Sequence, residues 1–143
     1  AFDVIVLDIG SISGLSNRLT DRRWTSQVTT WCCDQADELM ITSRADHLGH
    51  YRLGQVIELM QQTSIRAHIS FTQNMKSSGK RGENEMARFL SATTALKPIR
   101  IRSLKEESRS VKAAEDEHAT LVETNERSNL RKAIAELARE ITL

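Results

Sequence analysis

The chain has 143 residues with 20 basic and 19 acidic side chains, a net charge of +1, and 39% hydrophobic and 27% charged residues. That length holds one domain with a real core, 1–143, and a charge so near zero removes any argument for nucleic-acid or membrane affinity from global electrostatics. No apolar run approaches the roughly 20 residues of a membrane helix, and Asp8 interrupts the first apolar run before a signal peptide could form, so a cytoplasmic location is expected.

The chain opens with FDVIVLDIGS, where Val4, Ile5, Val6 and Leu7 form a dense apolar run that delivers Asp8 ahead of Ile9 and Gly10. The run reads as a buried strand over about 3–9. A carboxylate at the carboxyl end of such a strand stands where open parallel sheets place their ligands, which suits metal or phosphate chemistry. The bland alternative is that Asp8 caps its own loop. A helix is expected near 21–33, and it carries the two cysteines, Cys32 and Cys33. Their adjacency is poor geometry for a cross-link and supplies half of a zinc set, so free buried thiols are expected.

ELMITS, about 38–43, reads as a second strand, followed by a helix over 47–62. In that helix Leu48, Tyr51, Leu53, Val56, Ile57 and Met60 recur at near three- and four-residue steps and define a side that faces the sheet. His47 and His50 lie three apart without an acidic or cysteine partner at a recognised metal spacing. RAHISFT, about 66–72, is the third strand, and KSSGKRGENE, 76–85, reads as a mobile polar loop. A helix over 83–93, a strand over 98–102 (PIRIR) and a helix over 107–118 follow. The last helix, 126–141, repeats an apolar side with Leu130, Ile134, Leu137 and Ile141. Its polar side mixes Arg131, Lys132 and Arg139 with Glu136 and Glu140, whereas an anionic bilayer favours a uniformly basic face, so it is expected to dock on the core and not on a membrane. Strands alternating with helices, all but the last of the strands showing little polar alternation, give an α/β fold: a partial parallel sheet with helices on both faces.

No phosphate-cradling loop is present. The six glycines are scattered, and GKRG at 79–82 neither closes with Ser or Thr nor opens a helix from a strand. No serine sits in a nucleophile turn either.

From Asp8 onward the order of features nevertheless resembles, over essentially the whole chain, the C-terminal half of P-loop ATPases of the ParA and MinD type. This is the deviant Walker group that includes partition and pilus-assembly positioning proteins. Its Walker B strand, ending in aspartate and entering switch II, is matched by FDVIVLDIG. Its helix leading to an alanine-aspartate pair and the next strand is matched by DQADELMITSRADHLGHYRLGQVIELMQ. AHISFTQNM offers Gln73 and Asn74 for the family's asparagine near the adenine, without deciding between them. KPIRIRSLKEESRSVKAAEDEHATLVE matches the fourth strand and its helix, and NERSNLRKAIAELAREI the closing helix. Two departures stand out: Ile9 and Gly10 replace the usual residue and proline after the aspartate, and Ser103 and Leu104 replace the frequent proline-aspartate after the fourth strand.

The resemblance implies a switch for DNA segregation or the positioning of related cargo. Asp8 would be its catalytic carboxylate, orienting the water shell of a magnesium on bound ATP, with Gly10 and Gln73 or Asn74 at the nucleotide. It also implies a homodimer, an activating partner protein, and nonspecific DNA binding by basic residues on later elements. Here those are Arg100, Arg102, Lys105, Arg109 and Lys112, interrupted by Glu106, Glu107, Glu115 and Asp116, so a merely solvated face is the alternative. In such sheets the P-loop strand lies between the Walker B strand and the strand matched by ELMITS. The chain is therefore expected to be a fragment lacking the P-loop half, or to recruit that strand from a partner, and not to hydrolyse ATP by itself. Two other readings stand beside this one. One is a noncatalytic adaptor on the same scaffold. The other is a receiver-like phosphoacceptor domain, in which Asp8 would be joined by Thr42, Lys97 and Pro98. The extra strand, loop and helix over about 65–93 weigh against the receiver spacing.

Overall fold

A computed structural model of the chain describes residues 3–12 and 24–142. Its elements are α1 (Trp24–Gln35), β1 (Glu38–Arg44), α2 (His47–Gln61), β2 (His68–Lys76), α3 (Gly79–Thr93) with a 3₁₀ turn at Thr94–Leu96, β3 (Arg100–Lys105), α4 (Ser108–Asp116), α5 (Leu121–Thr124) and α6 (Asn129–Thr142). The three strands form one sheet in the order β1-β2-β3, and both pairings are parallel. Parallel neighbours need a long crossover, which α2 and α3 supply.

The registers align Ile41 with Phe71 and Phe71 with Ile101, so strand alternation gathers apolar side chains on one face. Cys33 of α1, Leu53, Ile57 and Met60 of α2, and Phe89 of α3 close over that face around Leu39, Ile41 and Phe71. Phe71 and Phe89 meet edge to face, with ring centroids 6.2 Å apart and planes at 89°. The opposite face carries Arg100 and Arg102, on which α6 sits through Glu140. Helices thus flank both faces, as the sequence pattern implies.

Local chemistry sets the starts of the helices. Asp46 caps α2 by accepting from the Gly49 N–H at 2.7 Å, and Ser43 Oγ donates to the Gly49 carbonyl at 3.1 Å. Position 49 has to be glycine, because a Cβ there would lie 2.1 Å from the Arg44 carbonyl oxygen. At the end of β2 the register shifts between Gln73 and Lys76, and Met75 takes a left-handed φ of 58°. Asn74 Oδ1 accepts the Met75 N–H at 2.8 Å and holds that bend.

Three expectations need correction. The segment 3–9 is not a strand: Val4, Ile5, Val6 and Leu7 are 44–84% exposed and belong to no ladder. An apolar run becomes a strand only where a neighbour takes its main-chain groups, and none among the described residues does. The stretch 76–85 is not a loop, since β2 runs to Lys76 and α3 starts at Gly79. On α2, Leu53, Ile57 and Met60 are buried, whereas Leu48 and Tyr51 are exposed. The other bounds move less: β3 and α6 sit two to three residues later than expected at their starts, and the region after β3 divides into α4 and α5. Residues 21–23 of the first expected helix lie outside the described residues.

Burial of Phe89 is complete, so Phe89→Ala removes a ring from the centre of the core. It is expected to lower unfolding free energy by about 3–5 kcal/mol, read from the shift of a urea transition followed by circular dichroism.

Candidate functional site

Open parallel sheets present ligands at the carboxyl ends of their strands, here Arg44, Lys76 and Lys105. Asp8 sits in a turn that it caps itself: the Gly10 N–H donates to Asp8 Oδ1 at 2.9 Å, and Gly10 takes a φ of 68°. The cap leaves Asp8 exposed, with no other partner among the described residues. Ile9, Gly10, Ser11 and Ile12 line an open cleft of about 900 Å³, whose other walls are β1, the Asp46 cap and one side of α2. Arg44 pairs with Asp46 at 2.6 Å on the rim.

The ladder explains why the cleft has an unfinished wall. Ala45 N–H donates to the Asn74 carbonyl, and His68 N–H to the Asp37 carbonyl, so odd-numbered residues of β1 face β2. Alternation then turns the main-chain groups of Glu38, Met40, Thr42 and Arg44 outward. Among the described residues no strand takes them.

Gln73 and Asn74 separate clearly, and neither lines the cleft. Gln73 is fully buried against α3, its Nε2 donating to the Glu85 carbonyl at 3.2 Å while its Oε1 finds no partner. Asn74 is half-buried, so it is the accessible member of the pair.

The basic residues also divide. Arg100 donates from Nη1 to Glu38 and from Nη2 to the Glu140 carbonyl, each at 2.8 Å. Arg102 forks onto the Glu140 carboxylate through Nε at 3.0 Å and through Nη2. That hydrogen bonding raises the Arg102 guanidinium pKa further and holds the Glu140 carboxyl below its usual range. Lys105, Arg109 and Lys112 are exposed and form no ion pair among the described residues.

Two carboxylates that sequence reasoning passed over organise the periphery. Glu107 accepts the Leu130 N–H at 2.7 Å, the Ser110 hydroxyl at 2.8 Å and the Ser128 hydroxyl at 2.9 Å, tying the start of α4 to the start of α6. The Leu130 bond leads in holding its carboxyl low. Glu85 accepts the Ser77 N–H and hydroxyl and Arg81 Nε, each at 3.0 Å. Burial pushes the Glu85 carboxyl up, but these donors outweigh it and leave it low. Serines at helix starts beside these glutamates were the available signal. Cys32 and Cys33 are free and buried, as expected, and burial followed by the neighbouring Cys32 raises the Cys33 thiol.

Among the described residues no three metal-binding side chains converge. Asp8 alone suits a water-mediated magnesium, but the described residues add neither a phosphate cradle nor an exposed Gln73. They do not form a complete nucleotide site, and no catalytic step follows from them alone.

The sheet order, its parallel crossovers and the helices on both faces define an open parallel α/β scaffold. No protein-family model and no curated protein matches the sequence. Among solved structures the fold is similar to a ParA family ATPase from Chlorobium tepidum TLS, with a TM-score of 0.61 and 16% identity, over 78% of this chain and 44% of that one. The chain thus spans less than half the length of that protein.

Glu85, Glu107, Glu123 and Glu140 all have folded pKa values below their ordinary ones. Such groups stabilise the fold above the unfolded carboxylate value of about 4.3 and lose that contribution as pH falls through their folded values. Urea midpoints are expected to stay level from about pH 7 to 5 and to fall below about 4.3, and Glu85→Gln is expected to shallow that acid slope.

Proposed function

We propose that this chain forms the C-terminal portion of a ParA/MinD-like, ATP-dependent switch that partitions DNA or positions related cargo. The similarity of 78% of the chain to a ParA family ATPase carries this reading. The uncovered edge of β1 and the unpaired run Val4–Leu7 support it, since the resemblance calls for one further strand between these two segments. That strand would carry the phosphate loop, so ATP and magnesium belong to the complete switch and not to these residues alone.

In that switch Asp8 stands at the end of the Walker B run, where its carboxylate orients magnesium-bound water. Gly10 gives the following segment the freedom to change conformation, and Asn74 is the residue available near the base. Magnesium supplies charge stabilisation at the phosphates. A cytoplasmic homodimer released by an activating partner protein completes the proposal. Duplex DNA would meet the basic side chains of β3 and α4, where Lys105 and Lys112 are exposed. A noncatalytic adaptor is the second reading, favoured by the burial of Gln73.

Two measurements test the proposal. In the full-length protein, Asp8→Ala is expected to lower magnesium-dependent ATP hydrolysis by about a hundredfold or more, several kcal/mol of charge stabilisation, while ATP binding persists. Absence of ATP binding by the full-length protein would favour the adaptor. Lys105→Glu with Lys112→Glu is expected to weaken retention of a random-sequence duplex and to flatten its log-affinity against log-salt slope by about 2.

A further inference from the structure

We propose that α6 is a displaceable acidic cover over Arg102, so that its docking on the sheet competes with the binding of duplex phosphates to that arginine. This rests on the DNA part of the functional reading above.

Glu140 fills the Nε–Nη2 edge of the Arg102 guanidinium, one of the two planar edges that recognise phosphate oxygens bidentately. The main-chain carbonyl of Glu140 also accepts from Arg100, and Glu136 adds a second negative charge that acts on Arg102. That Nε–Nη2 edge cannot serve the carboxylate and a phosphate together, and Nη1 is the donor that lies outside the bridge. Arg102 is nonetheless half exposed, so the pair lies at the surface and not in the core.

The placement of Glu140 is itself unusual. A carboxylate in the last turn of a helix opposes the helix dipole, and the last carbonyls there lack helical partners. Docking on the arginines offsets both features, since Arg102 pairs with the carboxylate and Arg100 donates to the Glu140 carbonyl, while Arg139 in the same turn also suits the dipole. The helix is also lightly held. No described residue of 129–141 is buried, Leu130, Leu137 and Ile141 are half-buried, and Ile134 is 44% exposed. Elements with few buried contacts open at the lower end of the free-energy range of a fold. Linkage then requires that phosphate binding loosen α6 to the same degree that docking of α6 weakens phosphate binding.

The test uses the full chain, a random-sequence duplex at low salt, and Glu140→Gln. The variant is expected to bind the duplex about fivefold tighter or more, the lower range of ordinary coupling. Its log-affinity against log-salt slope is expected to steepen by about one, for the single arginine released. In the unsubstituted protein, hydrogen exchange of the α6 amides is expected to quicken when the duplex is added, a readout that does not depend on the variant folding. Unchanged affinity of Glu140→Gln together with unchanged α6 exchange overturns the cover, even where Lys105→Glu with Lys112→Glu still weakens binding and so keeps the DNA reading. If the duplex is not retained at all and the lysine reversals change nothing, the DNA reading fails and the cover fails with it.

Discussion

The parallel ladder on β2 is the constraint on which the rest of this structure depends. Among the described residues β2 is the one strand paired on both edges, and its registers with β1 and β3 fix which side chains share a face. A slip of one residue in either register would turn Phe71 away from Phe89 and bring the polar set into the core. Complete burial of Gln73 follows from the same geometry. It occupies the apolar face one strand repeat beyond Phe71, and its Nε2 is satisfied only because α3 offers the Glu85 carbonyl there. The buried Gln73 therefore serves packing, while Asn74, the next residue, stays half-buried near the carboxyl end of β2.

β1 shows what the ladder leaves unfinished. Its odd-numbered main-chain groups are committed to β2 and its even-numbered groups point toward the cleft. An open parallel edge beside exposed apolar residues is a strong template for another strand, and natural sheets ordinarily cover or blunt such an edge. The run Val4–Leu7 has the composition of a central strand but lacks a neighbour among the described residues. Under the functional reading proposed above, one strand pairing with both segments would account for the two features together.

Much of the scaffold was legible in the sequence because burial writes a period. ELMITS, the 47–62 helix and PIRIR fell close to β1, α2 and β3, since continuous apolar runs and three-four spacing reflect one or two covered faces. The failures have equally physical causes. Val4–Leu7 carries the strand pattern without the pairing that makes a strand. KSSGKRGENE reads as a loop by composition, yet tertiary packing of Gly82 against the Ser77 carbonyl and of Phe89 against Phe71 draws it into α3. Leu48 and Tyr51 match the periodicity but stand off the stripe of Gly49, Leu53, Ile57 and Met60 that is buried. The candidate site was less legible, because a list of basic residues does not say which are already paired. Arg102 and Lys105 look alike in sequence, and only α6 distinguishes them.

The two faces of the sheet divide the work of holding the molecule together. The apolar face is held by close packing, which tolerates little movement. The other face is held by a charged bridge: Arg100 of β3 reaches Glu38 of β1, spanning two strand spacings of roughly 9–10 Å across β2. Such a reach needs a small residue beneath it, and the register puts Ser70 opposite Arg100 on the intervening strand, where it is almost fully buried. Arg100 and Glu38 are each largely shielded, whereas Arg102 and its share of Glu140 stay open to water. Shielded pairs persist in salt and exposed ones are screened. One arginine is thus positioned to lock the sheet and the other to exchange its partner, so a change in what sits on Arg102 reaches α6 without disturbing the ladder on β2.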